Sequence, residues 1–192
     1  MELLKRRILA DGMALNESVL LVDSFLNHQV DPELMEKVGE EFAARFADAG
    51  VTRVATIESS GIAPAVMCAL KMNVPMVIMK KQPSAILKDG VIQTEVFSFT
   101  KNSSYQLTLK SRFINANDRV LIIDDFLAND EAAFGAIRLV EQAGGAVAGV
   151  GAVIAKAFQP GLNKLRAAGY RVEALAPVSR MDKNIIEFGE CE

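Results

Sequence analysis

Short continuous apolar runs alternate along this chain with segments whose apolar residues recur at helical spacing. Residues 1–10 set apolar against basic positions with helical spacing, and residues 18–25 read as a short strand. Asp31-Pro32 is a helix start, Asp as cap and Pro at the first helical position. Leu34, Val38, Phe42 and Phe46 then line one helical face, and Gly50 closes that helix. Residues 51–57 predict a strand, 62–72 a helix and 75–79 a strand. Two alternating runs, 91–100 and 105–111, flank the polar turn 101–104 and predict a hairpin arm standing away from the main sheet. A strand over 120–123, a helix over 130–143, a strand over 145–155, a helix over 161–168 and a last strand over 170–175 complete the pattern.

Strands alternating with helices imply an α/β fold, a parallel central sheet flanked by helices and joined by right-handed crossovers. No repeat, low-complexity stretch or linker divides the chain, so a single domain over 1–192 is expected. At that length roughly 70% of the unfolded surface is buried on folding.

The densest chemical signal lies in residues 119–133. The apolar run Val120 to Ile123 reads as a buried strand ending in two adjacent carboxylates, Asp124 and Asp125, and a polar turn. A helix starts near Asp130. In an open α/β sheet the carboxyl end of a strand is where ligands sit. Turn amides and a helix N-terminus suit a phosphate. Neighbouring carboxylates repel one, so they need sugar hydroxyls or a divalent cation instead. Together these point to a phosphorylated sugar. A second strand end, Glu58-Ser59-Ser60-Gly61, also opens a helix and offers hydroxyls and amides to another anion. Gly61 there lets backbone approach a ligand closely.

The segment 119–133 resembles the 5-phosphoribosyl pyrophosphate (PRPP) loop of type I phosphoribosyltransferases. With residues 22–32 (VDSFLNHQVDP), 58–66 (ESSGIAPAV), 122–129 (IIDDFLAN) and 156–161 (KAFQPG), the chain from about residue 1 to about 175 is similar to the bacterial xanthine phosphoribosyltransferases. The resemblance implies a hairpin flap, a small N-terminal hood over residues 1–30 that binds the base, and purine salvage with Mg²⁺ accompanying PRPP. It implies that Asp124 and Asp125 hold the ribose hydroxyls, and that Ala128, Asn129, Asp130, Glu131 and Ala132 wrap the 5-phosphate. Ser59, Ser60 and Gly61 become the pyrophosphate loop. Lys80, in the Lys80-Lys81 pair, neutralises the leaving group. The base falls to Leu20, Asn27 and Lys156, with Phe126 and Phe158 as stacking candidates, and residues 82–104 to the flap. Mg²⁺ is held mainly by substrate, not by the protein alone. One departure stands out: the family carries a small residue, often Gly, where this chain has Asp130. Guanine or hypoxanthine as the base, or a non-catalytic PRPP-sensing regulator, are the alternatives.

Bulk properties fit that expectation. With 21 Lys and Arg against 24 Asp and Glu, the formal charge of −3 gives no basic footprint for nucleic acid. No apolar run approaches the ~18 residues of a membrane span, and residues 1–7 lack a signal peptide's apolar stretch. Cys68 and Cys191 make no disulfide framework. The expectation is a cytoplasmic enzyme and, from the resemblance, a homodimer acting on small molecules. Residues 144–151 (GGAVAGVG) are not a dinucleotide fingerprint, because these glycines precede and enter a strand instead of following one.

Overall fold

The structure is a computed structural model and describes residues 1–81, 90–98, 102–129 and 131–189. Helix α1 (Glu2–Asp11) buries Leu4 and Ile8. Strands β1 (Met13–Ala14) and β2 (Leu20–Leu21) form a small antiparallel hairpin. The strand expected over 18–25 stops there, and Asp23–Asn27 coil into a π-helical turn. The reason is packing: Phe25 and Leu26 are adjacent yet both fully buried, whereas a strand sends neighbouring side chains to opposite faces. Helix α2 (Pro32–Arg45) starts as predicted, with Asp31 Oδ1 accepting from the Leu34 N–H at 3.1 Å. It ends at Arg45, and Gly50 takes a positive φ of 61° in the turn toward the next strand.

The central sheet assembles from β3 (Arg53–Ile57), β4 (Met76–Met79), β7 (Arg119–Leu127), β8 (Ala146–Lys156), β9 (Val172–Asp182) and β10 (Ile185–Phe188). Its order is β10-β9-β8-β7-β3-β4, and every pairing is parallel except β9 with β10. Helices α3 (Ile62–Met72), α4 (Glu131–Gln142) and α5 (Gly161–Ala167) make the crossovers. One core lies between the sheet and α1 to α3, and a second lies under α4, α5 and the arm. Strands β5 (Val91–Ser98) and β6 (Ser103–Lys110) form that arm in full antiparallel register.

The expected α/β architecture of a central sheet flanked by helices holds, with three details the sequence reading lacked. The sheet is mixed, because a sixth strand returns antiparallel at its edge. The strand expected to end near residue 175 runs on to Asp182, and a two-residue turn, with Asn184 at φ 59°, leads into β10. Strand β7 does not stop before the carboxylates but carries both of them within it. The glycines of β8 have a packing purpose. A Cβ on Gly149 would meet the Phe46 ring at 2.4 Å, and one on Gly151 would meet Phe42 at 2.7 Å. Without those Cβ atoms, Phe42 of α2 and Phe46 just past its end seat buried rings against the sheet, each contributing roughly 1.5–3 kcal/mol by burial.

Candidate active site

The chain leaves β3 for β4 on one side of the sheet and returns to β7 on the other. The carboxyl ends of β3 and β7 therefore flank a switch point, where an open α/β sheet presents its crevice. A cavity of about 450 Å³ opens there, with Ile57 and Asp124 from the two strands in its wall. Ala128, Asn129, Glu131 and Ala132, around the start of α4, line it as well. The arm covers it with Phe97, Ser98, Ser103 and Tyr105, and Lys81 reaches in from beyond β4. Asp130 lies outside the described residues, as do 82–89 and 99–101 of the expected flap.

The two carboxylates face different neighbours. Asp124 turns into the cavity and Asp125 toward the N-terminal hood, where the Asn27 side-chain amide donates to its Oδ2 at 3.4 Å. Burial, and then the charge of Asp125, push the Asp124 carboxyl well above the usual carboxylate range. Tyr105 is raised too, by burial first and the Asp124 charge second. The cavity wall thus includes a carboxyl whose charged form is disfavoured by burial and by its neighbour.

Around residues 58–61 the geometry revises the reading of Gly61. Its φ of −70° is ordinary. A Cβ there would meet Thr56 Oγ1 at 2.3 Å and Asp124 Oδ1 at 3.1 Å. The bare glycine admits the acidic strand, so the close approach is to protein before any ligand. Ser59 is exposed and Ser60 half-buried beside it.

The two lysines also part company. Lys80 is bound by Glu58 at 3.0 Å and pairs its backbone with Thr108 of the arm. Burial raises the Glu58 carboxyl most, but the Lys81 backbone N–H, at 2.7 Å, and the Lys80 ammonium outweigh it and hold the pKa below its ordinary value. Lys81 is the lysine whose side chain lines the cavity, its ammonium 5.8 Å from the centre of the Tyr105 ring. The sequence reading gave the leaving group to Lys80, whose ammonium here is engaged by Glu58.

The expected base-binding residues gather on the hood side, outside the cavity. Leu20 is buried in the hood core and Asn27 is exposed at the end of the π-turn. Lys156, at the end of β8, donates from Nζ to the Ser18 carbonyl and stands 5.6 Å over the Phe126 ring. Burial lowers its pKa. Phe126 lines the cavity and also packs against the hood core, so it joins the two regions. The loop after β7 is tied to the start of α5, since the Gly161 N–H donates to the Ala128 carbonyl at 3.0 Å.

A mostly parallel sheet thus carries an acidic pair at its switch point, beside a helix-opening loop and a hairpin arm. The solved adenine phosphoribosyltransferase of Giardia lamblia, complexed with 9-deazaadenine, shares this fold at a TM-score of 0.75 over 90% of this chain and 96% of its own, with 20% identity. No protein-family model matches the chain. Xanthine phosphoribosyltransferase 1 of Clostridium botulinum is 58% identical over 188 residues, 98% of this chain and 99% of its own. The xanthine phosphoribosyltransferase of Agathobacter rectalis is 54% identical over 190 residues, 99% of each chain. The chain belongs to the xanthine phosphoribosyltransferase family.

Proposed function

We propose that this chain transfers the 5-phosphoribosyl group of PRPP to xanthine, releasing pyrophosphate and xanthosine monophosphate. The observation that carries the reading is the acidic pair between two differently built regions, Asp124 in the phosphate-suited cavity and Asp125 against Asn27 of the hood. A sugar joins a phosphate to a base, and its hydroxyls are donors that two carboxylates can accept.

In this reading Ala128, Asn129, Asp130, Glu131 and Ala132 enclose the 5-phosphate at the start of α4. The bond from the anomeric carbon to pyrophosphate breaks, and a ring nitrogen of the base forms the new bond. The transition state puts positive charge on the ribose, and Asp124 and Asp125 stabilise it from beneath. Ser59, Ser60 and Gly61 receive the pyrophosphate. Of the lysines, Lys81 meets the departing charge, and Lys80 holds Glu58 in place. Asp124 and Asp125 offer the hard oxygens that suit Mg²⁺, alongside the substrate's own pyrophosphate. When bound with PRPP, Mg²⁺ supplies charge neutralisation to the leaving group. Lys156 donates to an exocyclic oxygen, Asn27 meets the polar edge and Leu20 covers one face. The proton on the ring nitrogen passes to solvent before attack, xanthine being acidic enough to bind as its anion. The arm excludes water that would otherwise hydrolyse PRPP.

The test is formation of xanthosine monophosphate by the purified chain with PRPP, Mg²⁺ and xanthine, repeated with Asp124→Asn/Asp125→Asn. Turnover should fall by orders of magnitude in the double variant while its fold survives. Near-normal turnover in that folded variant would remove the acidic pair from the mechanism.

A further inference from the structure

Lys156 donates to a turn of the hood that supplies none of the individual site residues named above. Between β1 and β2 the chain reverses over residues 15–19, closed by the Leu15 N–H donating to the Val19 carbonyl at 2.9 Å. Within it the Asn16 Oδ1 accepts from two backbone donors, Ser18 N–H at 2.8 Å and Val19 N–H at 2.9 Å. Asn at the first position of such a turn substitutes for backbone hydrogen bonding and fixes the peptides that follow. The peptide so fixed carries the Ser18 carbonyl, and that oxygen accepts from Lys156 Nζ. The centre of the Phe126 ring stands 5.6 Å from the same ammonium.

An ammonium on a four-carbon stem has three rotatable donors and little preference of its own. One donor fixed by a carbonyl and one face turned to a ring leave the remaining donors a restricted set of directions. Asn16 itself is exposed at a hairpin tip, so packing does not explain its acceptor role.

We propose that Asn16 is a positioning residue for base recognition, acting through the Ser18 carbonyl to aim the Lys156 ammonium, with Phe126 as the second support. This rests on Lys156 meeting the base. A ligand carrying a carbonyl oxygen beside Lys156 gains from the aimed donor, whereas PRPP, bound across the acidic pair, does not. Asn16 therefore affects the base half of the reaction alone.

The experiment is a double-mutant cycle in steady-state kinetics with PRPP, Mg²⁺ and xanthine. Asn16→Ala should raise the xanthine KM roughly tenfold, the scale of one misdirected hydrogen bond to a charged group, with kcat and the PRPP KM within about twofold. Asn16→Asp should restore the parent KM to within a few-fold, because a carboxylate accepts from the same two N–H groups. In a Lys156→Ala background, Asn16→Ala should add nothing further. Multiplicative effects in the double variant, or an Asp variant as poor as Ala, would overturn the proposal and leave Asn16 a turn residue. If Lys156→Ala itself leaves the xanthine KM unchanged, the assignment of Lys156 to the base fails instead. Thermal melting of each variant guards against a collapsed hood being read as a kinetic effect.

Discussion

Asp124 is in conflict with the stability of the free protein. Its folded-state pKa is raised by burial and by Asp125. Below the ordinary carboxylate value of about 4, both folded and unfolded chains keep the proton and nothing is lost. As pH rises through that value the unfolded chain sheds its proton first, so stability falls until the folded pKa is passed. Asp124→Asn keeps an oxygen able to accept from the Asp125 N–H, a bond 3.0 Å long, and removes the titration. The variant should melt higher than the parent at pH 7, with the gap closing toward pH ~4, while turnover collapses. A variant that melts lower at every pH would show that the carboxylate is structurally needed. The lysine pair gives a second contrast. Lys81→Ala should cut kcat/KM for PRPP at least about tenfold, a loss of ~1.4 kcal/mol. Lys80→Ala loses an ion pair that is half-exposed on the lysine side, worth about 0–1 kcal/mol, and should cost less activity. Equal losses in the two variants would return Lys80 to the role first expected of it.

Strands and helices differ in how far the sequence foretold them, and the difference is physical. The cores of β7 and β8 were legible because both faces are buried, leaving continuous apolar runs such as 120–123. The later half of β9 was not, since Pro177 interrupts it and a strand reading discounts Pro. The turn into β10 uses Lys183 and Asn184 without a glycine to announce it. The carboxylates were legible as a pair, but not that Asp124 faces the arm while Asp125 faces the hood. That follows from residue alternation along a strand whose end was placed too early. Two predictions belong to this scale. Gly151→Ala sets a Cβ against Phe42 and Ile123 at 2.7 and 2.6 Å, and should destabilise by about 1–3 kcal/mol through overpacking without changing base preference. Arg138 of α4 ties the arm down, Nε to Thr94 Oγ1 at 3.0 Å and Nη2 to the Glu95 carbonyl at 2.9 Å. Arg138→Ala should speed hydrogen exchange in β5 and β6 while β7 and β8 stay protected; unchanged exchange in the arm would show that apolar packing alone holds it.

At the scale of the whole molecule, one sheet carries two recognition regions, and the acidic pair on β7 stands between them. The cavity under the arm sets Lys81, Asp124, Asn129 and Glu131 among apolar neighbours, and in the proposed reading it takes the phosphates. In the same reading the hood side, with Leu20, Asn27 and Lys156, takes the flat polar base. A solved adenine phosphoribosyltransferase shares the fold, so the fold leaves the base open, and in the proposed reading the hood decides it. An ammonium donates only, and it meets a second donor when the facing group is an amine. A buried donor left without its acceptor costs about 1–3 kcal/mol, roughly ten- to a hundredfold in specificity. The most direct measurement is the initial rate of nucleotide formation from PRPP and Mg²⁺ with xanthine, guanine, hypoxanthine and adenine in parallel, for the parent and for Lys156→Ala. The parent should prefer xanthine and reject adenine, and the variant should lose xanthine rate far more than PRPP affinity. Adenine as the best substrate, or a variant impaired in PRPP affinity alone, would contradict the account.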